Sequence, residues 1–278
     1  MSEFVTTSNG DRVAYDRRGD GPALIFVAGA GPWREIDPDT TRTAELLAER
    51  GVTTIVYDRV GRGESATGGV ITLERELAAI EALIGVVGGR AALCGHSSGC
   101  SISLRAAVDG LPVAALALWE APLAPPNSGA REWADEVNRW IDAGENAAAL
   151  DEYMKDMPPE ILDVVRSIPA MVEQAPSLRP DGESLAWAES APHAQLFGGI
   201  RVPVLTMVGE ATYDIMTPAA ESITAAIPGA SWKPMPGSEH SWEPEAMAAE
   251  LAAFVHATHA ADPAASATTA TITATATN

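Results

Sequence analysis

The residue best placed to do chemistry in this 278-residue chain is a serine set between two glycines, in Gly95-His-Ser-Ser-Gly99. The apolar run Ala91-Ala-Leu-Cys94 leads into it and a helical pattern follows. That strand–turn–helix context makes the G-x-S-x-G a nucleophile elbow. The sharp turn forces Ser97 into strained backbone geometry and lifts its hydroxyl out of the sheet, and the flanking glycines allow a strand–helix approach that a side chain would block. The hydroxyl then points above the first helical turn, where N–H groups and the helix dipole favour a developing oxyanion. A serine hydroxyl is a poor nucleophile near neutral pH, so this chemistry also needs an imidazole to accept its proton and an acid to orient that imidazole. Five histidines are available. His96 belongs to the elbow and is expected to point away from the base position, His193 falls among the middle helices, and His256 and His259 fall at the end of the chain's last helix and in the tail. His240 sits in a loop, Pro236-Gly-Ser-Glu-His-Ser-Trp242, after the final strand.

These side chains need a scaffold, and the pattern around them supplies one. Strands are expected at 13–17 (part of a leading hairpin), 23–27, 53–57, 91–95, 113–119, 204–208 and 231–235. Helical spacing recurs at 39–50, 72–86 and after the elbow to about 108. Strands alternating with helices of ten or more residues imply a mostly parallel sheet covered on both faces, with ligand chemistry at its carboxyl edge.

This order, the elbow, and Asp58-Arg-Val-Gly-Arg-Gly-Glu-Ser65, which looks like a D-R-x-G-x-G-x-S loop, resemble the α/β-hydrolases over about residues 3–258. The resemblance implies an eight-stranded sheet with a helical lid inserted after the sixth strand: a core of residues 1–121 and 198–259, and a lid of residues 122–197. It places the base at His240. It also implies an oxyanion hole made by the backbone N–H groups of Ser98 and of Ala30 in Ala28-Gly-Ala-Gly-Pro-Trp33. Here Ala28 stands where the family's H-G-x-x motif has histidine, which removes a hydrogen-bonding side chain and leaves the N–H in place.

The acid has two candidates. In many relatives it follows the seventh strand in a pattern like G-x-x-D, but in Gly209-Glu-Ala-Thr-Tyr-Asp214 the aspartate comes five positions after the glycine. The other candidate is Glu120, which closes the apolar run Leu116-Ala-Leu-Trp119 where the insertion begins. A charge at the end of a buried strand is costly unless paired, and His240 is a natural partner. W-E-A-P and V-G-E-A-T-Y-D-I-M-T-P are similar to segments of zearalenone lactonases, whose acid is a glutamate after the sixth strand. Glu120 is therefore preferred. The structural alternatives are a salt bridge to an arginine of the insertion for Glu120 and a helix cap near Thr217 for Asp214.

Within 122–197, amphipathic helices are expected at 131–143, 147–157 and 159–172, broken by Pro158-Pro159 and by Pro176, Pro180 and Pro192. Their aromatic and methionine side chains divide between mutual packing and an apolar pocket, for which Trp33, Met154 and Trp187 are the candidate lining residues. Together these features predict a serine hydrolase without cofactor or metal, cleaving a small apolar ester or lactone. C–C bond hydrolysis, perhydrolysis and a non-catalytic receptor remain as alternatives on the same scaffold.

A net charge of −20, with two lysines among eighteen basic residues, argues against nucleic-acid and anionic-membrane partners. The start Met1-Ser-Glu-Phe-Val lacks a signal-peptide pattern and no run approaches a membrane span, so a cytoplasmic monomer or homodimer is expected. Two cysteines without a C-x-x-C spacing suggest neither a disulfide framework nor a zinc site. The Ala/Thr-rich tail 260–278 has too little bulk to bury and is expected to be disordered. Deleting residues 262–278 should leave both turnover and the thermal midpoint unchanged, and a marked drop in either, in an ester-hydrolysis assay or a thermal melt, would show that the tail docks.

Overall fold

Strand β3 (Ala23–Val27) sends Leu24 and Phe26 into one apolar layer and Ile25 and Val27 into another, so both faces of the sheet must be covered. The computed structural model, which describes residues 2–65, 67–157 and 159–261, shows how. One layer packs β3 against helices α1 (Pro38–Ala48) and α11 (Pro244–Ala260), through Leu46, Leu47, Met247 and Leu251. The opposite layer packs it against α2 (Leu73–Val86), α3 (Ser98–Val108) and α10 (Met216–Ala226), through Leu77, Ile80, Ile102, Leu104 and Ile223.

The sheet has the order β1-β2-β4-β3-β5-β6-β7-β8-β9. The other strands are β1 (Glu3–Thr6), β2 (Arg12–Arg18), β4 (Thr53–Tyr57), β5 (Ala91–His96), β6 (Val113–Trp119), β7 (Val204–Ala211), β8 (Ser231–Ser238) and β9 (Ser241–Trp242). From β4 across to β8 all pairings are parallel, while β1, β2 and β9 pair antiparallel at the two edges. Eight of the nine strands match the expected count. The ninth, two residues long, is too short for alternation to reveal and forms where Gly237 and Ser238 pair with Trp242 and Ser241.

Strand β3 lies between β4 and β5, so the chain leaves it on one side and later returns on the other. At such a reversal the loops beyond the carboxyl ends diverge and open a crevice. The Ala28–Gly31 stretch after β3 and Ser97 after β5 both meet there.

Between β6 and β7 the strand–helix alternation gives way to α4 (Ala130–Asp142), α5 (Asn146–Tyr153), α6 (Pro159–Arg166), α7 (Pro169–Glu173), α8 (Arg179–Ala188) and α9 (His193–Phe197). The helix expected at 147–157 ends at Tyr153. The one expected at 159–172 is split in two, because Pro169 lacks an N–H donor and opens the first turn of a new helix. Among the described residues no helix is long and apolar enough to cross a membrane. The Ala/Thr tail from residue 262 lies outside the described residues.

Candidate active site

Ser97 has φ 55° and ψ −128°, a conformation that L-residues seldom adopt. Three glycines make the turn possible. A Cβ on Gly99 would lie 2.1 Å from the Val27 carbonyl oxygen, one on Gly95 2.7 Å from Cys100 Cα, and one on Gly29 2.8 Å from Ser97 Cβ. The end of β3, the elbow and the start of α3 therefore approach more closely than any side chain would allow. The Ser97 N–H donates to the Trp119 carbonyl at 3.0 Å, tying the elbow to the end of β6.

The next residue beyond that strand end is Glu120, whose side chain is fully buried. Its Oε2 lies 2.6 Å from His240 Nδ1, and its Oε1 accepts the Gly209 N–H at 2.8 Å. Gly209 has to be glycine, because a Cβ there would lie 2.8 Å from the same carboxylate oxygen. Burial alone would raise the Glu120 pKa, but the hydrogen bonds from His240 and Gly209, with the Thr212 hydroxyl close by, outweigh it and hold the carboxyl below the usual glutamate range. Asp214, in contrast, is exposed and makes no hydrogen bond or ion pair among the described residues. Ile215, not Asp214, caps α10, without a side-chain bond.

Backbone strain gathers at these residues. Ser97, Glu120 and His240 all have positive φ, at 55°, 47° and 71°, and Glu239 beside His240 has φ 50°. Of the described non-glycine residues, only Asn127 shares this conformation elsewhere. Such strain persists where surrounding contacts over-determine it, and here those contacts converge on the His240 backbone. Its carbonyl accepts from Trp119 Nε1 at 3.1 Å and pairs with His96 Nε2 at 3.0 Å. His96, expected to point away from the base position, thus braces the backbone of the residue that occupies it. Its ring lies 4.9 Å from that of His240 and 5.2 Å from that of Trp242, centroid to centroid. Burial, with the neighbouring His240, pushes the His96 pKa down to about 3, so the ring is neutral and its Nε2 proton serves the carbonyl.

The two backbone groups expected to face an oxyanion lie on either side of Ser97. Ser98 opens α3, and Ala30 follows Gly29, which packs against the Ser97 side chain. Among the described residues no protein acceptor engages the N–H of Ser98 or of Ala30. A cleft beside Ala30 and Gly31 is lined by Leu150, Met154, Val165, Met171 and Leu178, with Gln174 and Ser177 as its polar members. Its free volume is about 20 Å³, room for a water molecule and not for an acyl chain. Met171 lies against Gly31, so that even an added Cβ there would come 2.9 Å from its Cε. Entry of a ligand requires these flexible thioether side chains to turn aside.

Of the candidate lining residues, Met154 is in this cleft and the other two are not. Trp33 is buried beside Gly63, whose Cβ would lie 2.9 Å from its ring. Trp187 packs against Phe197 with the rings tilted by 57° and their centroids 5.7 Å apart, and the Arg105 guanidinium lies 5.1 Å from its centroid. Trp187, on α8, turns its face to the core, whereas Trp33 lies in the loop after β3. Met171, one of the insertion methionines expected to divide between mutual packing and the pocket, lines the cleft.

Cys94 and Cys100 flank the elbow as free, buried thiols. Burial pushes the Cys94 pKa up to about 12 and raises that of Cys100 as well, while the Cys100 thiol is directed at the carbonyls of Gly95 and Trp119 at 3.2 and 3.3 Å. Among the described residues no group of three His, Cys, Asp or Glu side chains is arranged to hold a metal ion.

Residues 24–254 match the model of the Alpha/beta hydrolase family. An alpha/beta hydrolase from Sphaerobacter thermophilus superposes with a TM-score of 0.76 at 29% identity, over 91% of this chain and 99% of the other. A thermophilic esterase from Thermogutta terrifontis gives 0.66 at 22% identity, covering 92% and 97%. The enol-lactonase from Burkholderia xenovorans gives 0.61 at 19%, covering 92% and 98%. At such identities the last two speak to the fold alone. Comparison with curated proteins gave no match.

The buried His96 leads to a pH test. The folded protein binds a proton there only near pH 3, the unfolded chain already near 6.5, so below 6.5 the unfolded state takes up more protons and stability falls with pH. Replacing His96 by Asn removes this difference. Thermal melts between about pH 7 and pH 4.5 should show a shallower loss of Tm in His96→Asn than in the wild type, and parallel slopes would mean that His96 is not held neutral.

Proposed function

The chain belongs to the alpha/beta hydrolase family, and from that premise we propose that it is a serine hydrolase acting on a small apolar carboxylic ester or lactone through an acyl-enzyme. Ser97 is the nucleophile, His240 the general base and then acid, and Glu120 the residue that orients and charges the imidazole. The N–H groups of Ala30 and Ser98 form the oxyanion hole. The observation that carries the reading is the 2.6 Å contact between the buried Glu120 carboxylate and His240 Nδ1, with the His240 ring 4.9 Å from that of His96, the residue before the strained Ser97.

In the first half-reaction Ser97 Oγ adds to the carbonyl carbon while its proton passes to His240. The oxygen that gains charge is held by the two N–H groups. Collapse breaks the C–O bond, and the imidazolium returns the proton to the leaving oxygen. In the second half a water molecule, deprotonated by His240, releases the acid and restores Ser97. For a lactone the leaving oxygen stays tethered to the acyl chain, so the ring opens. Glu120 remains ionised throughout, which its pKa, lowered despite burial, favours.

The apolar lining of the cleft, with Met154 and Met171 and no charged side chain, supports an uncharged acyl or ring moiety. The W-E-A-P and V-G-E-A-T-Y-D-I-M-T-P resemblance to zearalenone lactonases supports Glu120 as acid and adds lactones to the substrate class. The 76-residue stretch from 122 to 197 is the lid in this reading, with Leu150, Met154 and Leu178 contributed from above the cleft.

Ser97→Ala and His240→Ala should each lower ester turnover on the order of 10⁴- to 10⁶-fold, with the double variant hardly worse, because each removes the same activated nucleophile. Glu120→Gln should cost on the order of 10²- to 10⁴-fold and Asp214→Asn less than about tenfold. Hydrolysis of p-nitrophenyl esters and a panel of aliphatic, aromatic and macrocyclic lactones, with folding followed by circular dichroism, decides it. A crippled Asp214→Asn beside an active Glu120→Gln would move the acid to the end of β7. Failure of a fluorophosphonate to label Ser97, together with tight binding of an apolar ligand, would favour a receptor.

A further inference from the structure

Beneath the Ala28–Gly31 loop lies a cluster of four charged side chains, Arg59, Arg62, Glu76 and Asp181, each with no exposed surface. Two positive and two negative charges cancel, as burial demands. Arg59 pairs with Glu76 at 3.2 Å and with Asp181 Oδ1 at 2.5 Å, and Arg62 pairs with Asp181 Oδ2 at 2.7 Å. Asp181 comes from the first turn of α8, in the insertion, more than a hundred residues from the two arginines.

Arg62 is also held by Ser177, with Nε donating to its hydroxyl at 2.9 Å and Nη2 to its carbonyl at 3.2 Å, and Nη1 reaches the Pro32 carbonyl at 3.5 Å; other bonds of the cluster go to the two segments that flank Ser97. Arg62 Nη1 donates to the Gly29 carbonyl at 2.6 Å, and Arg59 Nη1 to the carbonyls of Ala28 and Gly29 at 3.1 and 3.2 Å. The Gly29 carbonyl and the Ala30 N–H belong to one planar peptide unit and point in opposite directions, so fixing the carbonyl aims the N–H. A cationic donor on the carbonyl also polarises the unit and makes its N–H a stronger donor. On the other side, the Ser98 hydroxyl donates to Asp181 Oδ1 at 2.7 Å, which holds the residue whose own N–H is the second oxyanion donor. Ala28 contributes no polar side chain to brace this loop.

We propose that Asp181 is a positioning residue of the oxyanion hole: through Arg59 and Arg62 it sets the Gly29–Ala30 peptide, and through the Ser98 hydroxyl it sets the first turn of α3. The proposal rests on the serine-hydrolase reading above. It makes the insertion part of the catalytic geometry without touching the substrate. Its signature is a loss of transition-state stabilisation with substrate binding unchanged.

The test compares wild type, Ser97→Ala, Ser98→Ala and Asp181→Asn on p-nitrophenyl butyrate and with an alkyl trifluoromethyl ketone, whose serine adduct carries the oxyanion. Ser98→Ala keeps the backbone N–H and the balance of buried charge, so it folds even where Asp181→Asn does not. It should lower kcat by roughly five- to thirty-fold, weaken the ketone by a similar factor and leave KM within about twofold. Asp181→Asn, where folded, should show the same split with a larger loss. If the wild type is active and Ser97→Ala is dead, but Ser98→Ala matches the wild type in kcat and ketone affinity, the proposal falls and the function stands. A loss of Tm alone in these variants has the same meaning. If the wild type neither hydrolyses the ester nor binds the ketone, the function falls and takes the proposal with it.

Discussion

Everything at the carboxyl edge of the sheet depends on how closely the backbone of the elbow is pressed against the end of β3. A carbonyl 2.1 Å from the place a Cβ on Gly99 would occupy leaves no tolerance for even a methyl group. That contact sets the height of α3 over the sheet, and so where its first N–H groups point. Gly29 meets Ser97 from the other side in the same way, which puts the Ala30 amide beside the hydroxyl without a side chain between them. Strain at Ser97 is the cost of this approach, and the bond from its N–H to Trp119 is part of what holds it.

Two buried carboxylates serve this edge in different ways. Glu120 sits on the sheet, at the end of β6, and is satisfied by one side chain and one amide. Asp181 comes from the insertion and is satisfied by two guanidinium groups and a hydroxyl. Neither charge could stay buried unpaired. The Arg59–Asp181 and Arg62–Asp181 pairs also fasten the insertion to the Asp58–Ser65 loop, itself closed by the Ser65 hydroxyl bonded to the Asp58 carbonyl and the Ala14 amide at 2.7 and 2.8 Å. The part of the insertion that carries α8 is therefore fixed ground, while the cleft is filled by the flexible side chains of Met154, just past α5, and Met171 of α7.

The strand order and the elbow were legible in the sequence because buried parallel strands are continuous apolar runs and the turn demands glycine at fixed spacing. Glu120 could be read because a charge closing such a run needs a partner. The strain at Glu120 and His240 could not, since neither is a glycine and nothing local marks a positive φ. The role of His96 was hidden by its position in the motif, where its neighbours draw attention and its contact with His240 spans 144 residues. Asp181 was invisible for a like reason: an aspartate early in a helix reads as a favourable dipole contact, and its partners lie far away in the chain. Among the middle helices, Met154 and Trp187 have similar apolar spacing, and only tertiary packing separates the one in the cleft from the one in the core.

Cys94 and Cys100 lie within three residues of Ser97 in sequence, yet their thiols are sealed from solvent and held protonated by burial. The thiolate is the form that alkylating agents and peroxides attack. The sulfur on either side of the elbow is thus kept in its unreactive form, out of reach of reagents that attack the thiolate. Oxidative conditions that disable thiol-dependent hydrolases have no foothold at this turn.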